Sequence, residues 1–306
     1  MMTVGHIPVM LQDVLKVFDP KPGKRFLDCT FGGGGHTRAL LNAAEGVEVV
    51  ALDCDPDAGK RAAALKAEYP ERFRFYDTNF SELDAIEECD FDGVLMDLGI
   101  SSFHVDEAER GFSFNKEAEL DMRLDPRSGM SASEFLESAS SEALTRAVRD
   151  YGEETAWRRV VNAIQSARGT GALARTRSLA QLVEKAVGGR PGRIHPATKT
   201  FQGIRIAVNQ ELDVLEQALP KAVDKLAEGG VLAVISFHSL EDRVVKRFFR
   251  RMAGRPEHAR DNTPQDLRTG CGALLFSRPM KPSQEEIAAN PRSRSSKLRA
   301  FLKQTP

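Results

Sequence analysis

The feature that most constrains this chain is an alternation of short apolar runs, bounded by turn residues, with stretches of helical period. The runs are "RFLDCT" (25–30), "VEVVALDCD" (47–55), "RFRFYDT" (72–78), "FDGVLMDLG" (91–99) and, after a long gap, "GVLAVISFHS" (230–239). None alternates cleanly between polar and apolar residues, which is the pattern of strands buried on both faces. Between the early runs lie "HTRALLNAA" and "DAGKRAAALKAEY", so the order predicts an α/β fold with a doubly wound, mostly parallel, Rossmann-like sheet. The long gap reads as helices. In "EETAWRRVVNAIQSAR" Trp157, Val160, Val161 and Ile164 share one face, and Ser178 is the expected N-cap of "SLAQLVEKAVGG". The expected organisation is a first sheet segment over residues 1–106, an inserted all-helical domain over 107–197, and a second sheet segment with a basic end over 198–306.

At 306 residues and 41% hydrophobic, the chain can bury a substantial core. It has no run of about 18 apolar residues, and "MMTVGHIPVM" lacks the regions of a secretion signal, so the expected compartment is the cytoplasm. Cys29, Cys54, Cys89 and Cys271 form no Cys-x-x-Cys pair, which suits reduced thiols and predicts no metal site. The net charge of −1 conceals a gradient: 16 Lys+Arg face 29 Asp+Glu in residues 1–150, 12 face 10 in 151–242, and 15 face 5 in 243–306. The basic end, with "RVVKRFFRR" and "NPRSRSSKLR", could lie along a phosphate backbone; a solvated charged face is the competing reading.

The turn "FGGGGHT" directly follows the first run, so its glycines stand at the carboxyl edge of the sheet, where ligands bind in such folds. Glycine allows positive φ and lets main chain approach a ligand, although a tight turn with no ligand would also use it. Asp53 ends the second run, where a carboxylate can accept both hydroxyl hydrogens of a ribose. The dinucleotide fingerprint is broken. Frames from Gly32 and Gly33 end on Thr37 and Arg38, and the frame from Gly34 reaches Ala39 with His36 where a glycine belongs. No Gly-Lys-Ser/Thr follows, which excludes a P-loop. A phosphate-free adenosyl ligand such as S-adenosylmethionine fits better, with its sulfonium facing carboxylates and main-chain oxygens.

The stretch "LMDLGISS" brings Asp97, Ser101 and Ser102 to the same edge as candidate catalytic groups that hold the ligand and receive hydrogen bonds from an incoming amine. A loop-capping role for Asp97 is the alternative. The following "DEAERGFSFNKEAELDMRLD" is dense in charge and shows no period that predicts an element.

The blocks "HIPVM", "TFGGGGHT", "DLGISS", "ERGFSF", "LDMRLD", "YGEET", "HPATKTFQGIRIAVNQEL", "ISFHSLEDRVVKRF" and "NPRSRSSKLR" resemble the signatures of the bacterial 16S rRNA cytosine-N4 methyltransferases, the RsmH (MraW) family. They occur in order from His6 to about Phe301. The resemblance implies methyl transfer from S-adenosylmethionine to a cytidine N4 in the decoding region of 16S rRNA, with the small ribosomal subunit as partner, no membrane partner, and a homodimer left open. It also implies a methyltransferase domain interrupted by a helical one. Carried over, Gly33, Gly34, Gly35 and His36 form the cofactor loop, Asp53 the ribose carboxylate, Phe80 the adenine neighbour and Asp97 the acidic strand end. The family's "SSPQLD" is "SSFHVD" here, so Phe103 and His104 replace a proline and a cofactor-contacting glutamine.

The transfer needs a nucleophile that cytosine N4 does not readily offer, because its lone pair is delocalised into the ring. Positioning can supply up to about 7–11 kcal/mol, and Asp97 or the Ser101 and Ser102 hydroxyls could accept the amine hydrogens and localise that pair. No covalent enzyme nucleophile is required. For RNA, the run from Thr198 reads as one long helix with Phe201, Ile204, Val208, Leu212 and Leu215 on its apolar face and Lys199, Gln202, Arg205 and Asn209 on its flank. With His238 and Arg243 after the last parallel strand and Arg294 in the basic end, these are the expected RNA-binding residues; a flank that meets only solvent is the alternative. A nicotinamide-dependent oxidoreductase and a non-catalytic RNA-binding protein are the competing function classes. The broken fingerprint argues against the first, and cofactor binding without methyl transfer would mark the second.

Overall fold

In the computed structural model, which describes residues 7–100, 107–188 and 195–304, each of the first four apolar runs becomes a strand that closes on an aspartate. These are β1 (Arg25–Asp28), β2 (Glu48–Asp53), β3 (Phe73–Asp77) and β4 (Phe91–Asp97). The fifth run is β5 (Leu226–Ser236), and two further strands, β6 (Gly272–Leu274) and β7 (Lys297–Lys303), complete a seven-stranded sheet of order β3-β2-β1-β4-β5-β7-β6. Strands β1 to β5 pair in parallel; β7 runs antiparallel to both β5 and β6. The chain winds outward from β1 to β3 and then returns to β4 on the other side of β1. The carboxyl ends of β1 and β4 are therefore the topological switch point, where such sheets bind ligands.

Helices α1 (Leu11–Phe18), α2 (Gly35–Leu41) and α3 (Pro56–Glu68) belong to the first half of the sheet. Leu40, Leu41, Ala58, Ala62 and Leu65 from α2 and α3 form one buried layer with Phe26, Val49, Ala51 and Phe73. The alternate strand residues Leu27, Val50, Leu52, Val94 and Met96 pack with helices α9 (Glu211–Asp224) and α10 (Ser239–Met252) through Leu215, Leu219, Val245 and Phe249. Apolar side chains leave both faces of the strands, which is why the runs lack alternation. A short helix, α11 (Gln284–Ala289), precedes β7. The expected basic tail is thus partly sheet: Leu298, Ala300 and Phe301 are buried in β7.

The second unit contains α4 (Ala132–Ser138), α5 (Ser141–Thr145), a π-helical turn (Arg146–Tyr151), α6 (Trp157–Ser166), α7 (Thr176–Val187) and α8 (Thr198–Asn209). Leu136, Leu144, Val148, Val160, Ile164, Leu179, Val183, Phe201 and Ile204 form its buried centre. Gly203 lets α8 cross the π-helical turn at backbone distance, since a Cβ there would strike the Ala147 carbonyl and come within 2.6 Å of the Gly152 nitrogen. The charge-dense stretch that had no period is mostly irregular and binds itself. Arg110 donates to the Arg123 and Leu124 carbonyls at 3.1 and 2.9 Å, and Arg123 grips Asp121 through Nε at 2.9 Å and Nη2 at 2.6 Å.

Three boundaries differ from the sequence reading. The chain divides into Met1–Gly99 with Leu212–Pro306, and Ile100–Glu211, so α8 belongs to the inserted unit rather than to the second sheet segment. The single long helix expected from Thr198 breaks at Gln210, whose φ is +50°. Phe201 and Ile204 enter the helical core while Leu215 enters the sheet core, so one apolar stripe serves two cores. Finally, α7 starts at Thr176 with Arg175 as N-cap, not at Ser178. The buried Thr176 hydroxyl accepts from the Ala118 N–H at 3.1 Å and donates to the Lys116 carbonyl at 2.8 Å, which draws the helix start forward.

Candidate cofactor site at the carboxyl edge

Asp28, Asp53, Asp77 and Asp97 close four adjacent parallel strands. Their surroundings differ. Asp28 is fully buried and accepts from the Thr30 N–H at 3.1 Å and from the Thr37 hydroxyl of α2 at 2.7 Å. Burial pushes its carboxyl up, against the pull of those hydrogen bonds. The Thr30 hydroxyl in turn accepts the Asp97 N–H at 2.7 Å, tying β1 to β4 at the switch point.

At the end of β2, Asp53 holds the glycine turn. Its Oδ2 accepts from the Gly32 N–H at 2.7 Å and its Oδ1 from the Asp55 N–H at 2.9 Å. Arg61 of α3 closes the clamp by donating to the Gly32 carbonyl at 2.8 Å, with its Nη2 3.3 Å from Asp55 Oδ2. Gly33 is exposed, and Gly34 is the N-cap of α2 at φ +73°. A Cβ on Gly34 would come within 2.7 Å of the Phe31 ring, and one on Gly35 would strike the Pro8 ring. These two glycines are therefore required by the protein's own packing, whatever the turn binds. Phe80 is half-buried and opens the short 3₁₀ turn Phe80–Ala85 after β3.

Asp97 stands apart. Among the described residues its Oδ1 is buried and has no hydrogen-bond partner, while its Oδ2 lies 3.8 Å from His36 Nδ1. His36 is buried, and its Nε2 is 3.0 Å from the Val9 carbonyl. A carbonyl only accepts, so Nε2 carries the ring hydrogen, and in the neutral ring Nδ1 offers Asp97 a lone pair. Burial first, then the nearby Asp28 and Glu241, hold the Asp97 carboxyl well above the ordinary carboxylate range. Glu241 sits in the first turn of α10, where its Oε2 accepts from the Phe237 and His238 N–H groups at 2.8 and 3.3 Å. His238 caps the same helix, accepting from the Glu241 N–H at 3.4 Å.

The remaining expected RNA residues divide by environment. Arg205 forms a two-pronged pair with Glu211, both contacts at 2.8 Å, across the Gln210 break. Asn209 accepts from the Leu124 N–H at 2.7 Å and donates to the Met122 carbonyl at 2.8 Å, tethering the charge-dense segment. Lys199 donates to the Glu153 carbonyl at 3.0 Å and Gln202 to that of Tyr151 at 3.4 Å. Arg243 and Arg294 are exposed, in α10 and in the 3₁₀ turn before β7. Ser101, Ser102 and His104 lie outside the described residues. The sequence reading missed Asp28, Thr30, Thr37, Arg61, Asp77 and Glu241. A usable signal was present, because each of the first four apolar runs carries an aspartate where the apolar residues stop.

A row of carboxylates repels a pyrophosphate and favours a cation, and the buried Asp97 oxygen asks for a donor or a positive charge. Together with the ribose-competent Asp53, the donor set fits a cationic nucleoside such as S-adenosylmethionine, the ligand class of Rossmann-like methyltransferases. The sequence comparisons agree with that class. The model of the MraW methylase family matches residues 3–304. The ribosomal RNA small subunit methyltransferase H of Gluconobacter oxydans is 43% identical over 302 residues, covering 97% of this chain and 93% of that protein. The protein of the same name from Rickettsia conorii is 42% identical over 304 residues, covering 98% of each. A solved rRNA methylase from Streptococcus thermophilus aligns over 98% of this chain and 100% of its own at a TM-score of 0.44 and 11% identity, too distant to bear on fold or function. The chain belongs to the MraW methylase family.

Proposed function

We propose that this chain transfers the methyl group of S-adenosylmethionine to the exocyclic N4 of a cytidine in 16S rRNA, with the RNA presented by the small ribosomal subunit in the cytoplasm. The observation that carries the reading is the buried Oδ1 of Asp97, unpartnered among the described residues, at the switch point of a methylase-family sheet.

When bound, S-adenosylmethionine supplies an electrophilic methyl carbon on a sulfonium centre. The protein's part is to place and activate the amine. Asp53, oriented by the Gly32 and Asp55 N–H groups, meets the ribose hydroxyls with its carboxylate. Phe80 flanks the adenine. Asp97 Oδ1 accepts an N4 hydrogen, which drives electron density back onto nitrogen and aligns the lone pair. A carboxyl lifted by burial and by the Asp28 and Glu241 charges is a stronger base than an exposed aspartate, so it also takes the proton that the methylated amine sheds. Ser101 and Ser102 are the proposed second acceptors and His104 a further cofactor contact. On the RNA side, Lys199, Arg243 and Arg294 are exposed cations suited to phosphate. Gln202 and His238 take polar groups, and Arg205 and Asn209 act by holding Glu211 and the segment around Leu124 in place.

The test is methyl transfer from labelled S-adenosylmethionine to small subunits that lack the modification, followed by nucleoside analysis. Label in N4-methylcytidine supports the reading. A wild-type protein that binds cofactor yet labels no cytidine overturns it.

A further inference from the structure

Farther along the sheet domain, the acids of residues 243–306 are largely consumed by internal contacts. Glu257 pairs with Arg251 at 3.1 Å, Asp261 is gripped by Arg268 at 2.8 and 2.9 Å, and Glu286 accepts the Met10 N–H at 2.6 Å. The outer face of α10, by contrast, keeps its positive charge. Arg243, Lys246 and Arg247 are exposed at helical spacing, and Lys246 and Arg247 form no ion pair among the described residues. Lys246 and Arg250, one turn apart, line a narrow notch with Arg299 of β7 and with Ser277, which follows β6. The apolar floor is Phe249, Leu274 and Phe276.

The charge of this notch is positive by construction. Arg250 spends its Nε on the Pro256 carbonyl, leaving its terminal nitrogens. The adjacent carboxylate, Asp242, is already met by two cations, Arg299 at 2.7 Å and Lys297 at 3.2 Å. The interior takes about 20 Å³, room for one oxygen-sized group and far too little for a base or a sugar. An ammonium, two guanidinium groups and a hydroxyl around a space for one oxygen are the donor set of a phosphoryl group, held by its oxygens at the mouth.

We infer that the notch formed by Lys246, Arg250, Ser277 and Arg299 binds a backbone phosphate of the substrate RNA, apart from the methyl-transfer site. The inference rests on the RNA reading above and adds the surface along which the strand runs: Arg243 and Arg247 flank Lys246 on α10, and Arg278 adjoins Ser277. The Lys246 and Ser277 side chains are exposed and hold no part of the fold together among the described residues, so their replacement leaves it intact. Arg250 and Arg299 each hold a structural contact and are left unchanged.

The experiment measures binding of the full chain to a single-stranded fragment of small-subunit rRNA over a series of salt concentrations. It compares wild type with Lys246→Gln/Ser277→Ala and with Lys60→Gln, which removes one exposed charge from α3. The notch variant is expected to bind about five- to tenfold more weakly at low salt, with the slope of log affinity against log salt reduced by about 0.7, one phosphate on a single strand. The Lys60 variant keeps the wild-type slope, and S-adenosylmethionine affinity by calorimetry is the same in all three. A notch variant with the wild-type slope overturns the inference while leaving the methyltransferase reading intact. If millimolar inorganic phosphate binds wild type and not the notch variant, yet their RNA slopes agree, the notch is a free-anion site and the RNA assignment fails. A wild-type protein that binds no RNA overturns both readings together.

Discussion

The carboxyl ends of β2 and β4 flank β1 on either side, and each presents an aspartate, but the two are built for opposite tasks. Asp53 is met by main-chain donors, the Gly32 and Asp55 N–H groups, which hold it as an oriented acceptor. Asp97 is met by acids and by apolar burial: Asp28 and Glu241 are its electrostatic neighbours, and its Oδ1 has no partner among the described residues. Donors make a carboxylate a fixed binding group, whereas burial and like charge make it a group whose proton is worth moving. Identical residue types at equivalent strand ends thus acquire a binding role and a chemical role from what surrounds them.

The sharpest way to break that comparison is Asp97→Asn. The amide keeps the shape and loses the proton acceptor, so methyl transfer should fall about 10²–10⁴-fold, while S-adenosylmethionine affinity changes far less and the melting temperature does not drop. Single-turnover transfer and calorimetric binding read the two separately. A rate within tenfold of wild type would remove Asp97 from the chemistry and leave β4 no different from β2.

The turn that Asp53 holds should give the next largest effect. Gly34→Ala places a Cβ 2.7 Å from the Phe31 ring at φ +73°. Left-handed backbone costs a non-glycine residue about 1–2 kcal/mol, and overpacking adds about 1–3 kcal/mol. The substitution should lower stability by about 2–5 kcal/mol in denaturant unfolding, with cofactor affinity falling as the turn shifts. Unchanged stability would mean that the turn is set by a ligand and not by Phe31.

How far this arrangement can be read from the sequence follows from the same contrast. Apolar runs separated by helical periods prescribe the parallel strands, because burial on both faces is written into each run. The glycine turn and Asp53 are legible too, since a turn and a strand end are local. What escapes is whatever depends on two distant pieces meeting. The raised carboxyl of Asp97 is made by burial and by Asp28 and Glu241, far away in sequence. The strands β6 and β7 hide in a charged tail because β6 is only three residues long and the apolar residues of β7, Leu298, Ala300, Phe301 and Leu302, are interleaved with Lys297, Arg299 and Lys303. The break at Gln210 leaves the stripe of Phe201, Ile204 and Leu215 unbroken, so periodicity alone joins two helices that serve different cores.

Asp53→Asn sharpens the other half of the comparison. An amide has one oxygen, so one of the two N–H groups that now meet a carboxylate oxygen would meet an NH₂ instead. Leaving a buried donor unsatisfied costs about 1–3 kcal/mol, and that loss should appear in unfolding together with weaker nucleoside binding. The rate of transfer at saturating cofactor should stay within a fewfold of wild type, in contrast to Asp97→Asn. An equal loss of rate would erase the division between a binding rim and a chemical rim.

The smallest effect is a dependence on pH. Asp97 titrates higher in the folded protein than in the unfolded chain, so as pH rises past the ordinary carboxylate range the unfolded state loses its proton first. The folded state then binds more protons, and stability falls with rising pH until the folded carboxyl itself ionises. Asp97→Asn removes this contribution, although Asp28, raised in the same direction by burial, retains its own. As pH rises above the ordinary carboxylate range, the variant's melting temperature should therefore gain on wild type. A cation beside Asp97 favours the ionised form, so S-adenosylmethionine binding should release protons and tighten with rising pH, whereas the neutral S-adenosylhomocysteine should do so much less. Calorimetry in two buffers of different ionisation enthalpy counts those protons, and equal counts for the two ligands would show that the sulfonium does not face Asp97.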